Sequence, residues 1–214
     1  MLKRTEACRG GVSPLGAVLP PALYAGADIT GGFPMIYNSD TLEREALLDC
    51  ARRMCAAART APKAKGIDNI VTLVLTGEDK DRVADEMERL AEPLQYKFFL
   101  RDAGNIRDAG ALVLLGIREG QRGLNDGCGH CHFDNCADCA VHHGVCVYDP
   151  MDLGIAIGSA VAIAADCRVD NRVLFSAGRA AMEMNLMGAD VKMVMGIPLA
   201  IAGKSPFFDR KPKK

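Results

Sequence analysis

The 214-residue sequence has no tryptophan, and its seven Phe and four Tyr amount to 5% of the chain. At that density a row of aromatic platforms for stacking bases is excluded. An excess of either charge is also missing: 26 Lys and Arg stand against 27 Asp and Glu, a net charge of −1. Bulk attraction to nucleic acid or to an anionic membrane is therefore not expected, and neither is taken as a partner. No apolar run reaches membrane-spanning length. The longest, "GIAIGSAVAIAA" at 154–165, matches a buried core helix. There is no internal repeat and no convincing export signal. Lys3 and Arg4 begin a weakly apolar stretch that Arg9, Pro14, Pro20 and Pro21 interrupt. Nine cysteines, an odd number in a chain this long, point to a reducing cytoplasm, where clustered thiols serve as ligands rather than bridges.

The chain is 49% hydrophobic and 25% charged, the balance of a globular protein. Residues 1–34 lack a helical or strand period, and we expect a flexible extension or a misassigned start there. From Met35 the pattern changes. Asp40 and Glu43 form a capping-box-like pair ahead of an apolar stripe that includes Leu47, Ala51, Met54 and Ala58. Strands are predicted at 69–77, 111–117 and 191–199, with a short edge strand at "YKFFL" (96–100). Helices are predicted at 78–92, 151–167 and 177–187. In the second of these, Gly154 and Gly158 are spaced for close approach by another backbone. The order implies an α+β (α/β-like) fold, a small mixed sheet covered by helices. Its expected parts are 35–121, a cysteine-rich insertion at 122–149, and 150–214 with the basic tail "RKPKK". Ser176 in "LFSAG" has no legible base, and a helix start explains it better than catalysis.

The chemistry is concentrated in "GCGHCHFDNCADCAVHHGVC" (127–146), which holds five cysteines and all four histidines. Cys128, Cys131, Cys136 and Cys139 are spaced C-x2-C-x4-C-x2-C, and Cys146 follows. Each two-residue gap lets two thiolates turn to one centre, and Gly127 and Gly129 allow the loop to curl. A four-iron four-sulfur cluster takes four thiolates, so one of the five is spare. We expect Cys128, Cys131, Cys136 and Cys146 as ligands, with Cys139 the alternative fourth. Zinc is the rival, because mixed Cys and His sets bind it well, although two pairs only four residues apart make a very small hairpin. A disulfide knot is the third option. His130, His132, His142 and His143 are expected as exposed loop residues. Cys50 and Cys55 are expected as buried small hydrophobes, and Cys8 and Cys167 as having no nearby partner.

The run at 57–79, the cysteine segment and the stretch 151–211 together resemble the uncharacterised ferredoxin-domain-containing proteins of bacteria and archaea. That resemblance spans residues 35–211 and implies a ferredoxin-type iron–sulfur cluster without a known reaction. Underneath it, "APKAKGIDN" (61–69) and "GIPLAIAGKSPFFDRKP" (196–212) are similar to a loop and an ending in nitroreductase-like flavoproteins. This second resemblance implies a nitroreductase-like fold, a homodimer, and an FMN whose phosphate Arg210 and Lys211 would hold. Lys63 and Lys65 are further candidates for an anionic ligand. Gly66 and Asp68 stand where those flavoproteins carry two donors to the flavin ring, and their paired arginines at the first helix are absent. The function expected is a one-electron carrier with a redox protein partner. The alternatives are an FMN oxidoreductase fed by the cluster and a zinc-bearing structural or interaction module.

Overall fold

A computed structural model describes residues 36–208. The expected extension at 1–34 and the basic tail with Arg210 and Lys211 lie outside the described residues. Helix α1 (Ser39–Thr60) is followed by strand β1 (Ile70–Leu75), helices α2 (Gly77–Ala91) and α3 (Phe98–Asp108), and strand β2 (Ala111–Arg118). A short helix α4 (Cys136–Val141) lies inside the cysteine segment. Helix α5 (Tyr148–Asp166), strand β3 (Asp170–Asn171), helix α6 (Phe175–Glu183) and strand β4 (Val191–Ala200) complete the order.

The sheet runs β1-β2-β4-β3, and every pairing is antiparallel. The α+β class with helices over a small sheet is as expected; a mixed sheet is not. Two helices, not one, lie between β1 and β2. Each packed element reverses the chain, so the second strand returns antiparallel to the first.

Strand β2 is buried along almost its whole length and divides the core by its period of two. Val113, Leu115 and Ile117 face α1 and α5, where Met54, Ala58, Leu153, Ala156 and Ala160 meet them. Leu112 and Leu114 face the other way, onto Val83, Met87, Phe99, Ile106 and Ala180 of α2, α3 and α6. The result is helix layers on both faces of one central strand pair.

Three local expectations need correction. "YKFFL" does not form a strand: it contains the turn after α2 and the start of α3. Its apparent alternation puts Tyr96, Phe98 and Leu100 in solvent, whereas the buried residues Phe99, Ala103 and Ile106 follow helical spacing. A five-residue window is too short to separate the two periods. The cap of α1 is Asn38, whose Oδ1 accepts from the Thr41 N–H at 2.9 Å, so the Asp40–Glu43 pair does not start the helix. Gly154 and Gly158 meet nothing within 4 Å of where a Cβ would sit. The close approach belongs to Gly178 of α6, where a Cβ would stand 1.8 Å from the Val194 carbonyl oxygen. Gly196 completes that contact from the β4 side, facing the Ala177 methyl.

Gly178→Ala is therefore expected to cost about 3 kcal/mol or more, because helix and strand must separate. Gly154→Ala, on an open helix face, is expected to gain about 0.5–1 kcal/mol. Urea denaturation of the two variants checks the pair; similar midpoints would contradict the assignment of the tight contact.

Candidate functional site

The cysteine segment leaves the sheet after β2 and returns into α5. Its base is closed by Arg122, one of the largest fully buried side chains of the described residues, at 1% exposure. Arg122 Nη2 donates to Asp152 Oδ2 at 2.9 Å, and Nη1 lies 2.9 Å from Asp149 Oδ1. Nη1 is aligned on the Gly120 carbonyl, to which it donates, so Asp149 Oδ1 is held by charge rather than by a directed hydrogen bond. Asp149 Oδ2 accepts from the Gly120 N–H at 3.2 Å, and Asp152 Oδ1 from the Ala64 N–H at 3.0 Å. One guanidinium thus joins the end of β2, the start of α5 and the 61–69 loop.

Burial works against the charge of Arg122. The Asp152 hydrogen bond and the two carboxylate charges more than offset it, so its pKa stands above the ordinary value. For Asp149 burial wins and pushes the carboxyl up, against the Gly120 N–H and Arg122. Sequence reading missed all three groups. A signal was available: Asp149 and Asp152 sit three apart at the head of an otherwise apolar helix, and Arg122 is the last basic residue before Arg168.

Above this base, Cys128, Cys131, Cys136, Cys139 and Cys146 all border one narrow cavity, together with Gln121, Phe133 and Tyr148. Cys136 and Cys139 lie on α4, which Asn135 caps by accepting from the Asp138 N–H at 2.9 Å. The Asn125 N–H donates to Cys136 Sγ at 3.3 Å, from a loop that curls through Gly129 at φ +65°. The fully buried Cys139 donates from Sγ to the Gly144 carbonyl at 3.2 Å. Burial first, and then its neighbour Cys131, push the Cys139 thiol up. Among the described residues no three His, Cys, Asp or Glu side chains gather where a single ion could sit. The thiols border a cavity rather than a point.

The four histidines are all exposed. His142 stacks on Phe133, and His130 meets the Tyr148 ring edge-on. Lys63 does not stand at an open anion site. Its Nζ donates to the carbonyls of Ala58, Arg59 and Ala61 and caps the end of α1. Lys65 is exposed, in the left-handed region at φ +57°. Cys50 and Cys55 lie on α1; Cys50 is buried, as expected, and Cys55 is half-buried. Cys167 does have a neighbour: it stands beside Cys50, whose thiol is pushed up to about 12 by burial first and then by Cys167. Ser176 is buried on α6 and donates to Asp102 Oδ2 at 2.7 Å, a bond between α6 and α3 without a nucleophile's base.

Comparison with known proteins places this geometry. Residues 142–210 match a family model described as "Uncharacterized protein containing a ferredoxin domain". An uncharacterized protein of Archaeoglobus fulgidus is 39% identical over 188 residues, covering 84% of this chain and 100% of its own length. A nitroreductase family protein from Clostridium novyi NT superposes with a TM-score of 0.50 at 13% identity, over 72% of this chain and 73% of that one. Nitroreductase A of Vibrio parahaemolyticus gives a TM-score of 0.47 at 12% identity over 77% of this chain. The chain spans about three-fifths of the Vibrio protein, 61% of its length. The fold is nitroreductase-like.

Arg122→Met leaves two buried carboxylates without their cation and is expected to cost about 3–5 kcal/mol in urea denaturation. Replacing Arg122, Asp149 and Asp152 together by apolar residues is expected to recover most of that loss. A cost below about 1 kcal/mol for Arg122→Met would show that the base is held by other contacts.

Proposed function

The chain belongs to the family of uncharacterised proteins containing a ferredoxin domain, and we propose that it is a one-electron redox carrier holding a four-iron four-sulfur cluster on its cysteine segment. The observation that carries this reading is the convergence of five thiols on one cavity. A single zinc ion needs its sulfurs about 2.3 Å from a common point. Among the described residues no three such donors meet at a point, and a cluster takes its four thiolates from a wider ring. The donor chemistry fits as well: thiolates bind iron, and the Asn125 N–H on Cys136 Sγ is the kind of contact that stabilises a charged sulfur.

Cys128, Cys131, Cys136 and Cys146 are the proposed ligands. Cys139, tied as a thiol to the Gly144 carbonyl, is the spare. When bound, the cluster supplies one-electron chemistry. The chain's own part is to hold four thiolates, aim a backbone N–H at sulfur, and keep water off one side with Phe133, Val147 and Tyr148.

An FMN enzyme draws on the fold alone. Of its anchors, Lys63 already has its hydrogens on three carbonyls, and Arg210 and Lys211 lie outside the described residues. The physiological partner in this reading is a redox protein.

Anaerobic purification with metal and sulfide analysis tests the proposal. About four irons and four sulfides per chain are expected, with a broad visible band that bleaches on reduction. One zinc and no colour would overturn it. Cys139→Ser is expected to keep its iron and Cys146→Ser to lose it; the reverse outcome would exchange their roles.

A further inference from the structure

Resting on that electron-transfer reading, we infer that the surface around the cysteine cavity docks a partner protein whose own contact surface is basic. The first observation is charge. From residue 123 to 167 the chain carries six aspartates and no lysine or arginine, although the whole sequence is nearly neutral. Asp149 and Asp152 are buried and share Arg122 as their cation, and Asp166 ends α5. The remaining three lie on the segment that walls the cavity, each next to a lining residue or one position removed from it. Asp126 lies in the turn Asn125–Gly127, beside the backbone that reaches Cys136. Asp134 follows Phe133, a residue of the cavity wall, and Asp138 sits on α4 between Cys136 and Cys139. Among the described residues neither Asp126 nor Asp134 is paired with a cation.

The second observation is apolar exposure on the same segment. Val141 is 75% exposed, Val145 55% and Leu124 38%. Large aliphatic side chains interleaved with unpaired carboxylates have the make-up of a docking patch rather than of ordinary solvated surface. Cations stand only at its margins: Lys65 Nζ approaches Gly123, and Lys192 shares a cleft with Glu119, His143 and Val145. Charge complementarity selects the occupant. A second copy of this chain would set carboxylates against carboxylates, and nucleic acid or an anionic bilayer would be repelled in the same way. A protein presenting Lys and Arg satisfies both the charge and the apolar contact.

Fluorescence anisotropy with labelled octalysine and octaglutamate, on the anaerobically purified full chain, tests this. Octalysine is expected to bind more tightly than octaglutamate at 20 mM salt, and 200 mM salt should largely abolish the difference. The double variant Asp126→Asn with Asp134→Asn should weaken octalysine binding by about three- to tenfold. Glu88→Gln with Glu92→Gln, at the C-terminal end of α2 across the sheet, should not weaken it. Asp126→Lys with Asp134→Lys should turn the preference towards octaglutamate. Equal binding of the two peptides, or equal effects of the two amide pairs, would overturn the inference. Iron is measured on the same samples. Full iron without an octalysine preference rejects the docking surface and leaves the redox reading standing. A preference in a chain without iron rejects the redox reading alone.

Discussion

A guanidinium removed from water by two carboxylates is the interaction on which the arrangement of this protein turns. Burying three charged groups is expensive, and it is tolerated only where each is hydrogen-bonded or closely paired. Arg122 meets that condition by drawing together the Gly120 carbonyl, Asp149 and Asp152, while the Gly120 and Ala64 N–H groups occupy the far oxygens. The contact has little to offer as glue, since an apolar trio of the same size would pack at least as well. Its value is directional: the Gly120 carbonyl, the Gly120 and Ala64 N–H groups and the two carboxylates meet the guanidinium together only when β2, α5 and the 61–69 loop are in place.

The division of the core by β2 explains why the cysteines gather where they do. The layer of α1 and α5 rests on Val113, Leu115 and Ile117, and α5 is also the element into which the cysteine segment returns. Its head therefore carries Asp149 and Asp152 at the edge of the cavity while its body fills the core. The opposite layer of α2, α3 and α6 is pressed onto β4 through Gly178 and takes no part in the site. One face of the sheet supports the cysteines; the other supplies stability.

Much of this was legible in the sequence, because strong periods and dense ligand spacing are local signals. The long helices α1, α2 and α5, the strands β1, β2 and β4, and the singular character of residues 127–146 all follow from patterns read within a single window. What escaped depends on distant partners. Arg122 looks like a loop charge until Asp149 and Asp152 are brought beneath it. Lys63 looks like a free cation until the end of α1 presents three carbonyls. Cys167 looks solitary until α5 lies against α1 and Cys50. The glycine pair in α5 had the right spacing for a close contact, but no element crosses it, whereas Gly178 alone meets β4. Spacing records which residues share a face; only the topology decides what that face meets.

The closed base has an evolutionary consequence. Both ends of the cysteine segment are fixed at one point by Arg122, so β2 and α5 are held whatever chain runs between them. Residues 123–148 can be lengthened, shortened or exchanged without shifting the register of the sheet. The same scaffold can thus trade one cysteine-bearing cassette for another, or lose it, without rebuilding its core.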